Sequence, residues 1–272
     1  MPSNNMERIK DTWKEQGIAG ELGFWRRVME GIIGNQTTVP PRVISRMKSR
    51  LLPDRKLQDY PCFLLKETGT DTTNTIRILD AGAGPFTQLG SAWPGHKVEV
   101  TAVDALASQY DELLAEYNLV PPVRTVSCDF ELLDSYFGEN RFDLVWTQNA
   151  LDHSYNPVLG IENLIKVARP NAYISIMLFE NEAERERYSG MHQWNFSNLE
   201  DDIFISERNG KGHLLSQIIK DKADLITIRN VTYFNDEDTG GIETLTKEQV
   251  NDIKSQFKNA FIWMQFLLKK NT

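Results

Sequence analysis

The stretch Asp80-Ala81-Gly82-Ala83-Gly84-Pro85 constrains this chain more than any other. It follows an apolar, β-rich run at residues 75–79 that reads as a strand. Two glycines directly after a first strand allow a tight turn and let a ligand approach the backbone. The next segment is expected to open a helix, whose free N–H groups would face an anion. Asp104 ends the following apolar run, 22 positions after Gly82. That is the spacing at which a carboxylate holds ribose hydroxyls.

The surrounding pattern extends this reading. Further strands are expected at 97–103, 123–128, 142–147 and 172–179, with helices between them at 108–117 and 159–168. Such alternation predicts an α/β fold, a doubly wound and mostly parallel sheet covered on both faces. Runs at 202–206 and 223–234 flank a helical stretch at 214–222 and could close the sheet as an edge pair. Residues 246–270 read as a last helix, with Lys269 and Lys270 suiting its C-terminus. Before residue 74 the texture is helical: Val43, Met47 and Leu51 recur every four positions after Pro40-Pro41. An N-terminal helical cap over 1–74 and a core over 75–272 are therefore expected.

Charge and cysteine content narrow the class. Thirty basic against 38 acidic residues leave a net charge of −8, which excludes a protein that coats nucleic acid. Cys62 and Cys128 are too few for a disulfide scaffold, and free thiols in a reducing cytosol are expected. The start of the chain has no apolar core of a signal peptide. The longest apolar runs, 172–179 and 261–268, are far short of the ~18–20 residues that span a bilayer. The oligomeric state is left open.

A dinucleotide fingerprint would need a third glycine at position 87, where Thr87 stands. This weakens a nicotinamide-dependent oxidoreductase. A cofactor with a ribose and a carboxylate but no pyrophosphate tolerates the change better. Here the sequence resembles the class I S-adenosylmethionine-dependent methyltransferases, in ILDAGAG (78–84), VTAVD (100–104), SCDF (127–130) and FDLVWTQNALDH (142–153). In NALDH (149–153) and in ENEAERERYSGMHQWNF (180–196) it resembles bacterial methyltransferases encoded with polysaccharide and capsule genes.

The resemblance implies a seven-strand Rossmann-like core and a set of roles. Gly82 and Gly84 would pass under the methionine part of the cofactor, with Asp80 steering its ammonium through the turn. Asp104 would accept from the ribose hydroxyls, and Ala105 and Leu106 would pack on adenine. Asp129 would bond the adenine amino group beside Phe130, and Gln148 would face the methionine portion. Arg50, in RLLPDR, would clamp the carboxylate.

The acceptor side is read from the residues themselves. Proton removal from a hydroxyl needs a base, and histidine is the commonest. Of four histidines, His153 follows the fourth strand and His192 lies in the loop after the fifth. His192 is expected to be the base ahead of His153, with Asp152 orienting a histidine or acting itself. Glu180 and Glu182 are further acid–base candidates, and Tyr188, Trp194 and Phe196 could wall an acceptor in a loop at about 181–200. No metal site is expected, because the histidines form no close pair in sequence. Arg42, Arg46 and Arg50 share one helical face, either solvated or an anion site. The expected function is O-methylation of a small polar acceptor such as a sugar, nucleotide sugar or phosphorylated capsule precursor. A non-catalytic S-adenosylmethionine-binding partner protein is the other alternative.

Overall fold

The computed structural model describes residues 9–11, 13–199, 201–233, 242–246, 248–250, 252 and 263–272. Strands β1 (Ile76–Ala81), β2 (Val98–Asp104), β3 (Val126–Ser127), β4 (Phe142–Gln148) and β5 (Ala168–Phe179) run parallel in the order β3-β2-β1-β4-β5. β1 and β4 bury nearly every residue, as strands covered on both faces must. The sheet continues through β11 (Trp263–Lys270), antiparallel to both β5 and β9 (Ala223–Tyr233). These seven strands form the expected mostly parallel sheet, and the three-residue strand β10 (Ile242–Thr244) adds an eighth at the edge.

Helices precede and cover the sheet. α1 (Ile18–Ile32) buries Trp25, Val28, Met29 and Ile32 against Ile44 and Met47 of α2 (Pro41–Ser49), and against Phe86, Leu106 and Tyr110 beside the sheet. α3 (Asp59–Glu67) packs Leu64 and Leu65 on Ile76, Ile78 and Trp146. α4 (Ala107–Glu116), α5 (Leu133–Phe137) and α6 (Pro157–Val167) follow β2, β3 and β4. The strand order reverses between β1 and β4, where Asp80 lies beside Trp146 and Ala81 beside Thr147. The crevice outside such neighbouring carboxyl ends is where open α/β sheets bind ligands.

Three expectations are corrected. The stretch 246–270 is not one helix: residues 263–270 are the strand β11, and residues 247, 251 and 253–262 lie outside the described residues. β11 is central and buried on both faces, so its apolar run has no period that separates strand from buried helix. Lys270 does cap a helix, but another one: its Nζ donates to the carbonyls of Lys166 (3.0 Å) and Ala168 (2.8 Å) at the end of α6.

The second correction concerns the expected edge pair. Only 223–233 joins the main sheet; Phe234 is outside the described residues. The 202–206 run becomes β7 (Ile203–Glu207) of a separate antiparallel sheet with β6 (Trp194–Asn198) and β8 (Gly212–Leu214).

The third is the helix after the glycine turn. Residues 82–97 contain no helix. Their amides pair elsewhere: Ser91 and Ala92 donate to the Arg55 carbonyl, and the Thr87 hydroxyl accepts from the Leu89 amide. Gly90 lies so close to the Lys56 carbonyl that a Cβ would sit 1.8 Å from it. The N-terminal segment at 55–57 thus satisfies the backbone that a helix would otherwise have satisfied.

Candidate active site

The glycine turn leaves β1 with Gly82 at φ +73° and Gly84 at φ +62°. The amides of Gly82 and Ala83 both donate to the Val103 carbonyl of β2, which ties the turn to the next strand. A Cβ on Gly82 would lie 2.2 Å from the Ala150 Cβ, and one on Gly84 2.8 Å from the Trp25 ring. Both glycines therefore answer to conformation and to close packing at once.

Asp104, at the end of β2, faces this turn. Its Oδ2 accepts from the Gly84 amide at 3.0 Å and its Oδ1 from the Leu106 amide at 2.9 Å. Each oxygen keeps a lone pair for a further donor. Burial pushes this carboxyl up to about 6. Ala105 and Leu106 line the same cleft. Asp80 is 2% exposed and accepts from the Thr87 hydroxyl at 2.5 Å. Burial raises it to about 6 as well, opposed by the Thr87 bond and the Arg50 guanidinium.

The remaining cofactor candidates surround them. Asp129 accepts from the Tyr155 hydroxyl at 3.3 Å, and the Lys10 ammonium lies 4.2 Å from the Tyr155 ring centroid. The Phe130 ring faces Gly82. Gln148 accepts from the Gln88 amide, and Arg50 donates to the Phe86 carbonyl at 3.3 Å. All line one cleft of about 1410 Å³.

That cleft also receives the acceptor candidates. Asp152 and His153 form a single 3₁₀ turn after β4. His192 follows α7 (Glu182–Arg185) in the loop between β5 and β6. His192 Nδ1 lies 3.2 Å from Asp152 Oδ2 and 3.2 Å from His153 Nε2, and His153 Nε2 lies 3.4 Å from Asp152 Oδ2. His153, His192 and Glu182 line the cleft, with Asp152 behind them at 1% exposure. Burial works against the Asp152 charge, but the two imidazoles outweigh it and hold its carboxyl below the usual range. Burial likewise opposes a charged His192, and its bond to Asp152 wins, raising it. Glu182 is pushed up to about 8 by burial and then by the charge on Asp152.

Not every candidate reaches the cleft. Trp194 and Phe196 lie in the main apolar core, Phe196 stacked on Phe266 at 6.4 Å, so β6 turns both rings inward. The Tyr188 hydroxyl accepts from Asn195 at 2.8 Å and its carbonyl from Gln193 at 2.8 Å, so it braces the loop. Glu182 lines the cleft and Glu180 does not. Sequence reasoning missed Trp25, which packs over Gly84 while its Nε1 donates to Glu21 at 2.7 Å. It also missed Tyr155 and Lys10 beside Asp129. No local spacing links α1 or residue 10 to the glycine turn, so only the fold joins them.

Comparison with known proteins bears on the fold and the family. Residues 79–176 match a family described as a methyltransferase domain. An uncharacterized methyltransferase of Schizosaccharomyces pombe is 31% identical over 108 residues, 37% of this chain and 38% of the relative. The chain thus aligns with well under half the length of that relative. Among solved structures, a chain of the complex between the Haloferax volcanii Trm112 methyltransferase activator and its methyltransferase superimposes with a TM-score of 0.50 at 11% identity, over 83% of this chain and 92% of that one. The Burkholderia thailandensis 1,6-didemethyltoxoflavin-N1-methyltransferase, solved with S-adenosylhomocysteine, gives 0.41 at 16% identity over 79% and 80%. Over residues 79–176, about a third of its length, the chain is thus similar to a methyltransferase domain. Among the described residues no helix is long and apolar enough to cross a membrane.

Proposed function

We propose that this chain methylates an oxygen of a small polar acceptor: a sugar, a nucleotide sugar or a phosphorylated capsule precursor. The observation that carries this reading is the convergence of His153, His192 and Asp152 on the cleft that also holds the glycine turn and Asp104. When bound, the cofactor supplies a methyl on a sulfonium, a leaving group that is already activated. The chain's own task is then alignment, exclusion of water and removal of a hydroxyl proton.

Asp104 takes the ribose hydroxyls with the lone pairs its amide partners leave free. Ala105 and Leu106 pack on adenine, and Asp129, beside Phe130, takes its amino group. Gln148 faces the methionine portion, Arg50 holds the carboxylate, and Asp80 steers the ammonium through the turn. The acceptor hydroxyl is activated at the Asp152–His153–His192 cluster. In its protonic form, His192, oriented by Asp152, takes the proton, a contribution of about 10²–10⁴-fold. The helices before residue 74 act as a cap, as Trp25 over Gly84 supports, and residues 181–200 as the acceptor loop.

The acceptor's charge is argued from the arginines. Arg27, Arg42, Arg46, Arg50 and Arg55 all line this cleft in a chain of net charge −8. Guanidinium groups gathered against an acidic background favour a phosphorylated acceptor as well as the cofactor carboxylate. The resemblance of 180–196 to polysaccharide-linked methyltransferases points to sugars.

Calorimetry with S-adenosylhomocysteine and with NAD tests the cofactor. A screen of sugars, nucleotide sugars and sugar phosphates for S-adenosylhomocysteine release tests the acceptor. Tight S-adenosylhomocysteine binding and turnover on a phosphorylated sugar are expected. Binding of NAD in its place would overturn the reading.

A further inference from the structure

We infer that Asp152, His153 and His192 form a binding site for one divalent transition-metal cation. The three facing atoms, Asp152 Oδ2, His153 Nε2 and His192 Nδ1, form a triangle with edges of 3.2, 3.2 and 3.4 Å. They belong to a compact group whose ligand atoms all lie within 4.8 Å of one another.

Hydrogen bonding cannot satisfy this triangle. A neutral imidazole nitrogen either carries a hydrogen or offers a lone pair, and never both. If both nitrogens donate to Asp152, their mutual 3.2 Å contact sets donor against donor. If only one carries a hydrogen, the other nitrogen meets the carboxylate oxygen lone pair to lone pair. With Asp152 ionised, every assignment of the imidazole protons leaves one edge unbonded, and a cation facing all three atoms satisfies all three edges.

The edge lengths agree with that occupant. Nitrogen and oxygen ligands lie about 2.0–2.2 Å from zinc, so a tetrahedral site separates its ligands by about 3.3–3.6 Å and octahedral neighbours by about 2.8–3.1 Å. The observed edges fall between and at these values. A second, independent observation concerns the carboxylate. Asp152 is 1% exposed, and among the described residues its Oδ1 has no hydrogen-bond partner. A buried carboxylate oxygen without a protein donor suits a group that faces a cation. Two imidazoles and a carboxylate suit zinc, iron, cobalt or manganese, and leave open positions toward the cleft.

This inference deepens the proposed function and rests on its reading that the acceptor enters here. A hydroxyl bound to the cation is acidified. Its O–H bond breaks, the proton passes to solvent water, and the electron pair stays on the oxygen held by the cation. His192 then serves as a ligand in place of a base.

The test uses the full chain, stripped with a chelator and dialysed. Titration with cobalt(II) is followed by visible absorption, and zinc and manganese are counted by mass spectrometry after gel filtration. The expected result is one equivalent of metal and a cobalt spectrum with nitrogen ligation, needing no variant. His153→Ala, His192→Ala and Asp152→Asn should each weaken binding at least tenfold, while His213→Ala, on exposed β8, should not. S-adenosylhomocysteine affinity, measured alongside, reports that each variant is folded. Failure of all three cations to bind stoichiometrically, or undiminished binding in His153→Ala, would overturn the site. Methyl transfer that persists in chelator and still requires His192 also overturns it, and leaves the protonic reading standing. Metal binding without turnover on any acceptor supports the site and counts against the proposed acceptor instead.

Discussion

The Gly84 amide donates to Asp104 Oδ2 over 3.0 Å, so the residue that would hold the ribose also fixes the turn that would hold the methionine part. Ligand affinity and local backbone order are thereby linked through one carboxylate. Asp104→Asn puts an NH2 group against one of two backbone amides, Gly84 or Leu106, whichever way it turns. One buried donor then loses its acceptor, at a cost of about 1–3 kcal/mol. S-adenosylhomocysteine affinity should fall at least tenfold by calorimetry. Because burial raises Asp104 to about 6, wild-type affinity should also weaken as pH falls through that value, and the variant should lose this dependence.

The arginine stripe divides by position. Arg50 reaches the Phe86 carbonyl at 3.3 Å and influences Asp80, whereas Arg42 is exposed at the cleft edge. Arg50→Lys should weaken cofactor binding about tenfold, because lysine lacks the planar fork. Arg42→Lys should leave it unchanged. Equal small effects in calorimetry would return the stripe to a solvated face.

Gly82→Ala separates packing from backbone strain. Its Cβ would lie 2.2 Å from the Ala150 Cβ at φ +73°, whereas Gly95, at φ +81°, has open space. Left-handed strain alone costs about 1–3 kcal/mol. Overpacking adds about 1–3 kcal/mol more. Urea denaturation should therefore show Gly82→Ala destabilised by more than Gly95→Ala. Equal losses would mean that Ala150 yields to the added methyl.

His192→Ala should lower turnover about 10²-fold or more on any acceptor found, and spare S-adenosylhomocysteine affinity. The described side-chain bonds of His192 run to Asp152 and His153, and none runs to the glycine turn or Asp104, so cofactor contacts should survive. Near-normal turnover would remove it from the chemistry.

Much of this site was legible in the chain. The glycine turn and Asp104 announce themselves by spacing, since both belong to consecutive β-turn units whose geometry is local. The convergence of His153 with His192 was not legible. They are 39 positions apart, and only the return of the loop after β5 brings them together. β11 was misread because a strand buried on both faces carries no period. Trp194 was misread because an aromatic residue after a loop looks the same whether it faces a ligand or the core.

Asp80 provides the last test, in which stability opposes binding. Burial raises its carboxyl from 3.8 to about 6, with Thr87 and Arg50 only partly offsetting the effect. The folded state therefore holds a proton that the unfolded state has released across roughly pH 4–6. Stability rises with pH only where the unfolded chain binds more protons, so this group makes stability fall as pH rises through that window. The raised carboxyl corresponds to a stability loss on the order of 3 kcal/mol by pH 7. A ligand ammonium near the turn would recover part of that loss, which ordinary packing cannot. Asp80→Asn should therefore be more stable than wild type in ligand-free urea denaturation at pH 7. The difference should shrink toward pH 4, because both proteins are then neutral at this position. S-adenosylhomocysteine should raise the melting temperature of wild type far more than that of the variant. A constant stability difference across this range, or equal stabilisation by the ligand, would show that Asp80 serves the turn alone.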